Sequence, residues 1–405
     1  MELRDGISEQ DFEPNPASTG DSCASQPQNR RPKITATPFV WRDPAKIPKR
    51  ASIYGRHYIR KFVSCTIAPG ALGKSSLTLA EAIAICTGRP LLGIAPTERT
   101  NVWYWNGEDP QEETERRIAA ICQRYEIDGR ELEGSLFIDS GRVSPIKLAR
   151  VIKGEIAIDA ELATDICATI KQNSIGVFSL DPFISAHDVP ESDNTHIDAV
   201  VKKFAHISEE TESSIDFCHH VRKASNGQWE TTVEDARGAI ALINAARSVR
   251  VLNRMTKDQA EQTRVVDPRF YFRADNGKTN LAPPGEAKWF HLAGVELANG
   301  DHVAVVEPWK FPSPLDDVTV AHMHAVREMA RTRDWRKSPQ SKKWIGKAVA
   351  ELLDLDADKP ADQKKIKGIL DVWFANGVLA VDERKDEHRK DRKFVIPGDW
   401  NEGTK

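Results

Sequence analysis

A short stretch in the first quarter of the chain has the residue types and spacing of a loop that binds phosphate. Residues 68–75 read Ala-Pro-Gly-Ala-Leu-Gly-Lys-Ser, which fits the pattern Ala/Gly-x-x-x-x-Gly-Lys-Ser/Thr. In such a loop, backbone N–H groups surround phosphate oxygens at the start of a helix. The lysine reaches the β- and γ-phosphates, and the hydroxyl binds Mg²⁺. We therefore predict a nucleoside triphosphate site, with Lys74 and Ser75 on the phosphates and the metal ion.

The predicted nucleotide-binding residues of this loop are Ala68, Pro69, Gly70, Ala71, Leu72, Gly73, Lys74, Ser75 and Ser76. Ala68 stands where glycine is commoner, and Ala71 lies in the middle of the loop. If residue 71 needs a positive φ, an alanine there costs energy that a glycine would not. The flanks fit the motif, because an apolar strand over 61–67 precedes the loop and a helix over 75–87 follows it.

Two acidic residues follow predicted strands and supply the carboxylates that ATP hydrolysis needs. Asp181 ends the strand 175–180, and at that edge of an α/β sheet it would hold Mg²⁺; a turn-forming aspartate is the alternative. Glu108 follows the strand 102–106, where it could polarise the attacking water as a general base; a surface acid is the alternative. Asp109, Pro110 and Glu112 have the pattern of a helix N-cap and capping box, so we interpret Asp109 as structural.

Histidines and arginines supply the remaining groups. His219 and His220 follow the strand 214–218 and could sense the γ-phosphate by hydrogen bonding, whereas the lack of further ligands at zinc spacing disfavours a metal site. The stretch 237–250 reads as a helix with Arg237 at its start and Arg247 on its flank. In a ring, either arginine could reach the nucleotide of a neighbouring subunit as an arginine finger; exposed arginines without such a role are the alternative.

Composition narrows the class of protein. The chain has 405 residues, 40% of them hydrophobic, and a net charge of -3, which neither supports nor excludes DNA binding. Its six cysteines show no CxxC pairing and read as reduced core residues. No stretch approaches the ~20 apolar residues of a membrane span, and the acidic start is not a signal peptide. We expect a cytoplasmic protein that has no contact with membranes.

The order of predicted elements gives the fold class. Apolar strands alternate with amphipathic helices, which predicts an α/β core of the P-loop NTPase type with a mostly parallel sheet and helices on both faces. The predicted domains are a disordered tail over 1–36, the ATPase domain over 37–285, a β-rich extension and linker over 286–315, and a C-terminal domain over 316–405. In the last, three helices and a charged hairpin suggest a winged helix.

Five motifs in order resemble the RecA-like ATPases related to RepA-type plasmid replicative helicases, which are often catalogued as AAA-family ATPases. They are Ala-Pro-Gly-x-x-Gly-Lys-Ser, Trp-Asn-Gly-Glu-Asp-Pro, Leu-Asp-Pro, His-His-x-x-Lys and Arg-Gly-x-x-x-Leu. The resemblance covers roughly residues 45–285. It implies a RecA-like core, a homo-hexamer, ATP and Mg²⁺ as cofactors, and single-stranded DNA in a central channel.

The resemblance also implies roles for individual residues. Glu108 becomes the catalytic base, Asp181 the Walker B acid, His219 or His220 the sensor, and Arg247 the trans-acting arginine. The sequence departs from the pattern at Lys278-Thr-Asn, near where related ring helicases carry a Lys-x-Arg pair. Because that arginine is missing, Lys278 becomes a further candidate nucleotide-binding residue.

The C-terminal domain resembles the winged-helix modules of phage and plasmid relatives. Lys364, Lys365 and Lys367 lie near the start of its third predicted helix, as in a DNA recognition helix, and a protein-binding surface is the alternative. We therefore expect an ATP-dependent DNA motor or helicase that serves replication of a plasmid, phage or mobile element, with replication-initiation proteins as partners. The alternatives are an ATP-switched DNA-binding regulator that does not unwind DNA and, with less support, a small-molecule kinase.

Overall fold

The computed structural model describes residues 35–221, 231–232, 240–263, 265–279 and 287–400. The chain divides into two compact units, Met1–Lys49 and Arg50–Lys405. In the first unit, the described backbone contains one turn of 3₁₀-helix, Pro44–Lys46, which the Asp43 carboxylate caps by accepting from the Ala45 N–H at 2.9 Å. The predicted disordered tail, 1–36, lies almost entirely outside the described residues.

The second unit contains all the strands and α-helices that the structure describes. The strands are β1 Ser52–Tyr54, β2 Tyr58–Ile59, β3 Val63–Pro69, β4 Asn101–Asn106, β5 Leu136–Ser140, β6 Ala149–Ile152, β7 Glu155–Ile158, β8 Ile175–Asp181, β9 Ser214–Val221, β10 Ser248–Arg254, β11 Tyr271–Thr279, β12 Lys288–Glu296, β13 His302–Trp309, β14 Trp335–Arg336, β15 Leu379–Lys385 and β16 Asp391–Pro397. The helices are α1 Lys74–Thr87, α2 Gln111–Arg124, α3 Ala160–Gln172, α4 Asn194–Thr211, α5 Ile240–Ala245, α6 Lys257–Thr263, α7 Val320–Thr332, α8 Ile345–Leu352 and α9 Pro360–Ala375.

A nine-stranded sheet in the order β13-β12-β11-β10-β3-β9-β8-β4-β5 forms the centre of this unit. The six strands from β10 to β5 are parallel, whereas β11, β12 and β13 continue the sheet in antiparallel pairs. The central strands are buried along nearly their whole length, as expected when helices cover both faces. This confirms the predicted α/β fold with a mostly parallel sheet.

The loop with the phosphate-binding pattern connects the central strand β3 to α1. That helix ends at Thr87, and the cap residue Gly88, with a φ of 74°, donates its N–H to the Ala84 carbonyl. Strands β3, β4 and β8 run in the same direction, so their carboxyl ends lie at one edge of the sheet. Gly70, Glu108 and Pro182 follow these three ends. The topology therefore brings the predicted site residues of these three strands to one edge.

The stretch 237–250 is not one helix, so that prediction was wrong. Residues 233–239 lie outside the described part, α5 ends at Ala245, and β10 begins at Ser248. Val249 and Val251 pair with Cys65 and Ile67 of β3, and β-branched residues are favoured on such a doubly covered strand. Burial in the sheet therefore overrides the helical pattern of the preceding alanines and leucines.

The C-terminal part of the unit has the order α7, β14, α8, α9, β15, β16, and its three strands form a sheet in the order β14-β16-β15. The predicted helices and hairpin are present, and the short strand β14 was not predicted. Trp344 and Trp373 fill the core of this part. The predicted domain boundaries stay predictions.

The start of α9 contacts the rest of the chain. Lys364 Nζ donates to the carbonyl oxygen of Asp258 in α6 at 3.2 Å, and Lys365 Nζ pairs with the Asp317 carboxylate at 2.5 Å. Lys367 Nζ bonds Gln363 within the helix. The lysines that the sequence assigned to a recognition helix therefore bind groups of the same chain in this conformation.

A buried ion pair fixes α1 to the sheet behind the phosphate-binding loop. Both Oε atoms of Glu81 accept hydrogen bonds from the Arg250 guanidinium at 2.5 and 2.6 Å, and Arg250 Nε donates to Thr66 Oγ1 at 2.9 Å. Tyr58 OH donates to Glu81 at 2.8 Å. Glu81 lies two helical turns after Lys74, so this network sets the position of the helix that starts at the loop.

We predict that Glu81→Ala destabilises the protein by about 3–5 kcal/mol, because it leaves the Arg250 guanidinium buried without its carboxylate. The free energy of urea-induced unfolding measures the effect. The double variant Glu81→Leu with Arg250→Met should be clearly more stable than the single variant. As a control, Asp198→Ala removes an exposed pair with Lys202 and should change stability by less than about 1 kcal/mol. A loss below about 1 kcal/mol for Glu81→Ala would contradict this role.

Candidate nucleotide-binding site

The loop between β3 and α1 has two residues in the left-handed region. Gly73 has a φ of 83°, which favours glycine, and a Cβ there would lie 2.9 Å from Leu292 Cδ2, so a larger residue would also displace that leucine. Ala71 has a φ of 58°, which confirms that this position requires a positive φ. The Ala71 carbonyl accepts from Arg254 Nη2 at 3.3 Å, which helps to hold the loop.

A cavity of about 610 Å³ opens over the loop. Its floor is the loop and the first turn of α1, one wall is α2, and the other wall is the β12–β13 hairpin. The lining residues are Pro69, Ala71, Leu72, Gly73, Lys74, Ser75, Ser76, Glu113, Arg116, Arg117, His220, Leu292, Asp301, His302, Val303 and Ala304. Its size is within the range of pockets that bind nucleotide-sized ligands. Ala68 and Gly70 belong to the loop but not to this lining.

The most informative group in the cavity is the Lys74 ammonium. Lys74 is only 4% exposed, and among the described residues its Nζ has no hydrogen-bond partner. An unpaired buried ammonium is costly, so a site built in this way needs an anion. Its place at the first residue of α1 adds the partial positive charge of the helix N-terminus. The loop is therefore arranged to bind phosphate groups.

A second buried cationic donor faces the same cavity, and the sequence interpretation did not identify it. Within the described chain, Nη1 of Arg117 is buried without a hydrogen-bond partner. Its other nitrogens bind Asp109 at 2.9 Å and Glu113 at 3.2 Å, which orient the guanidinium. In sequence, the only signal is the spacing of Glu113 and Arg117 by four residues on a predicted helix.

The expected N-cap at Asp109 was wrong. The helix α2 begins at Gln111, its N-cap residue is Pro110, and no side chain bonds the cap. The Asp109 carboxylate binds Arg117 instead, because the Asn106 side chain already organises the turn. Asn106 Oδ1 accepts from the N–H groups of Glu108 at 2.9 Å and of Asp109 at 2.7 Å. Asp109 therefore has a structural role, as interpreted, but it binds Arg117 and does not cap the helix.

Asp181 ends β8 and is 2% exposed. Tyr104 OH donates to its Oδ2 at 2.9 Å, which fixes the carboxylate, and burial together with Asp181 raises the pKa of Tyr104. Ser75 lines the cavity just after β3, and β9 lies between β3 and β8 in the sheet. A serine hydroxyl and an aspartate carboxylate are oxygen ligands that suit Mg²⁺, which keeps most of its coordination for water and phosphate.

Glu108 is exposed and lies just beyond β4, which pairs with β8 so that Asn106 stands opposite Asp181. Its own carbonyl oxygen accepts from Arg142 Nε at 2.7 Å, which holds the backbone of the turn. Glu108 is not in the cavity lining, but it is close enough to His220 to affect the pKa of that histidine. Asp181 affects the same pKa, so both carboxylates lie near His220, which lines the cavity.

The two histidines at the end of β9 have different surroundings, because successive residues of a strand point to opposite faces. His220 lines the cavity, where partial loss of hydration and the charge of Lys74 lower its pKa. His219 is 4% exposed, and its Nδ1 lies 3.7 Å from Glu191 Oε1. Burial, Lys74 and neighbouring histidines that include His187 lower the pKa of His219 to about 4. Of the two predicted sensors, His220 is the one that lines the cavity.

Lys278 and Arg247 do not reach the cavity of their own chain. Lys278 Nζ donates to the carbonyls of Ile243 and Asn244 at 2.9 Å, so it caps the end of α5. Lys278 pairs with Val249, which stands next to Cys65 near the start of β3, whereas the phosphate-binding loop follows the end of that strand. Arg247 is exposed. Burial is the main cause of the lowered pKa of Lys278, and the nearby charge of Arg247 lowers that pKa further. Arg237 lies outside the described residues.

Comparisons with known proteins found one matching family model and a set of similar solved structures. Residues 28–226, just under half of the chain, match a family model described as "AAA domain". Among solved structures, the fold is similar to a crystal structure of the RadB recombinase, with a TM-score of 0.37 and 12% identity over 62% of this chain and 93% of that one. It is also similar to a DnaB-like replicative helicase described with its interactions with primase, with a TM-score of 0.42 and 10% identity over 58% of this chain and 56% of that one.

No curated protein matches the sequence. Among the described helices, none is long and apolar enough to cross a bilayer.

We predict that stability falls as the pH drops from 7 to 5. Burial and Lys147 lower the pKa of His187 to about 4, the same value as His219. In this pH range the unfolded chain therefore binds protons that the folded chain does not, which favours unfolding as the pH falls. The expected loss is about 2 kcal/mol for each histidine between pH 7 and pH 5. Urea unfolding at several pH values measures it.

Matched variants separate this effect from general acid sensitivity. His187→Asn and His219→Asn should each flatten the dependence of unfolding free energy on pH, whereas His388→Asn replaces an exposed histidine and should leave it unchanged. An unchanged slope in both buried variants would contradict the prediction.

Proposed function

We propose that this protein is an ATP-dependent DNA motor or helicase that hydrolyses ATP with Mg²⁺ and moves on single-stranded DNA. The observation that carries the ATPase part is the buried Lys74 ammonium at the start of α1, unpaired within the described chain, in a cavity of nucleotide size. The match of residues 28–226 to an AAA domain supports the same activity. The motor part is supported by the ordered motifs that resemble RepA-type helicases.

Each group at the cavity has a role in this proposal. Lys74 would neutralise the β- and γ-phosphates, and Ser75 with Asp181 would hold Mg²⁺, whose charge would stabilise charge that develops on the phosphate oxygens. Glu108 orients the attacking water as general base. His220 hydrogen-bonds the γ-phosphate and reports its loss, while the buried Nη1 of Arg117 donates to phosphate from the α2 wall.

The nucleotide site is completed by a second subunit of a homo-hexamer in this proposal. Arg247 and Lys278 lie together near the start of β3, away from the cavity of their own chain. Groups at that position act on a nucleotide only if a neighbouring subunit presents its cavity to them. We assign the trans contact to Arg247, with Lys278 beside it; Arg237 is the other candidate.

The C-terminal part is proposed to be a winged helix. Its order of three helices and three strands, with α9 before the β15–β16 hairpin, supports this assignment. In the described conformation, Asp258 and Asp317 engage two lysines of α9. That observation favours a second candidate function, an ATP-switched DNA-binding regulator in which release of this helix, and not unwinding, is the output.

We predict that Lys74→Ala and Asp181→Asn each reduce ATPase activity at least about 100-fold, because they remove the phosphate counter-charge and a ligand of the metal ion. Steady-state phosphate release with and without single-stranded DNA measures it. The control Lys202→Ala changes an exposed lysine far from the loop in sequence and should keep full activity. Wild-type protein that does not hydrolyse ATP under either condition would contradict the proposal.

A forked DNA substrate separates the two candidate functions. Strand displacement that needs ATP and is lost in Lys74→Ala supports the motor. Binding to DNA that changes with ATP, without displacement, supports the regulator.

We predict that mixing two inactive variants restores part of the ATPase activity if an arginine acts in trans. Arg247→Ala and Lys74→Ala should each be inactive alone. In a mixed ring, a subunit with an intact Lys74 meets a neighbour with an intact Arg247, so part of the ATPase activity returns. Activity in the pure Arg247→Ala protein would contradict the assignment, and so would the absence of any recovery from mixtures shown to assemble.

A further inference from the structure

We propose that the turn of the β12–β13 hairpin forms the base-binding half of the nucleotide site in the same chain, with the His302 ring stacked on the base. This inference rests on the proposed ATP site and adds where the base binds. Nothing in the motifs predicted it, because the sequence assigned the hairpin to an extension outside the ATPase domain.

Contacts at several points hold the hairpin over the phosphate-binding loop. Leu292 packs against Gly73 so closely that a Cβ at Gly73 would lie 2.9 Å away. Ser76 Oγ donates to the Ala304 carbonyl at 3.0 Å, and Arg116 Nε pairs with Asp301 at 2.7 Å. The hairpin is therefore a fixed wall of the cavity.

Hydrogen bonds within the turn also fix its conformation. The Leu297 N–H donates to the Asp301 carbonyl at 2.9 Å, and Asn299 Nδ2 donates to the Asp301 carboxylate at 2.9 Å. Gly300 has a φ of 87°, which the Asn-Gly turn permits. Because the turn is fixed on both sides, His302 begins β13 at a defined place on the cavity wall.

The direction of the ligand along the cavity follows from the loop. Lys74 reaches the β- and γ-phosphates, so the γ end lies toward His220, Asp181 and Glu108. Ser76 follows Lys74 on α1 and touches Ala304 of the hairpin. The opposite end of the ligand, which is the ribose and base, therefore extends past Ser76 toward the hairpin turn.

The chemistry of that end suits an aromatic base. Leu292 and Val303 offer apolar contacts, while His302 and Arg116 offer planar groups that stack on rings. The phosphate end, in contrast, is lined by Lys74, Ser75 and the loop backbone. One cavity thus joins a cationic half to a half with apolar and planar walls, which is the arrangement that a nucleoside triphosphate requires.

The experiment compares ATP with inorganic tripolyphosphate, which has the phosphates but no base. Calorimetric titration in the presence of Mg²⁺ gives the Kd of each ligand for the full-length protein. His302→Ala should raise the Kd for ATP about tenfold, in line with the loss of one stacking contact, and leave the Kd for tripolyphosphate unchanged. His302→Phe should restore most of the affinity for ATP, because it keeps an aromatic ring.

Two further variants make failures distinguishable. Lys74→Ala should raise the Kd of both ATP and tripolyphosphate. If it raises neither Kd, the proposed function fails together with this inference. The control His388→Ala replaces an exposed histidine in the β15–β16 turn and should bind both ligands like the wild type. Suppose that Lys74→Ala behaves as expected. If His302→Ala then binds ATP with normal affinity, or loses the same affinity for both ligands, the hairpin does not bind the base, although the ATP site remains supported.

Discussion

The structure depends on one electrostatic constraint, a lysine ammonium buried at the start of a helix without a partner within the described chain. Burial of Lys74 without a partner is costly, and phosphate oxygens bound in the cavity would replace the lost water. The left-handed residues Ala71 and Gly73 hold the loop open around that space. Behind it, the ion pair of Glu81 with Arg250 keeps α1 in place. The ion pair therefore fixes the helix that begins at the loop, independently of any ligand.

The walls of the cavity explain why the site extends beyond the loop. The helix α2 contributes Arg117, which Asp109 and Glu113 orient, and the hairpin β12–β13 contributes the opposite wall. Arg116 and Asp301 join the two walls. The turn at Asn106 connects β4 to α2, so the strand that precedes Glu108 and the hairpin are joined through one helix.

Local patterns made the loop and the strand-end acids predictable, because the spacing of residues 68–75 and the placement of Asp181 after an apolar run are readable within a few residues. The parallel sheet followed from the alternation of strands and helices. The β12–β13 wall was not predictable in this way. Arg116 and Asp301 are 185 residues apart in sequence, and their contact depends on how three antiparallel strands continue the sheet. The split of 237–250 into α5 and β10 also depended on burial, which no local propensity reveals.

The position of Arg247 and Lys278 gives the strongest reason to consider the protein as part of an assembly. Both lie near the first residues of β3, whereas the phosphates of a nucleotide in the same chain would lie beyond the last. Lys278 is held there by two carbonyls of α5, so a simple rotation of its side chain does not bring it to the cavity. If these cations act in hydrolysis, the reacting nucleotide belongs to another subunit. Hydrolysis would then be sensitive to subunit arrangement, which is the property that a ring-shaped motor needs to coordinate its sites.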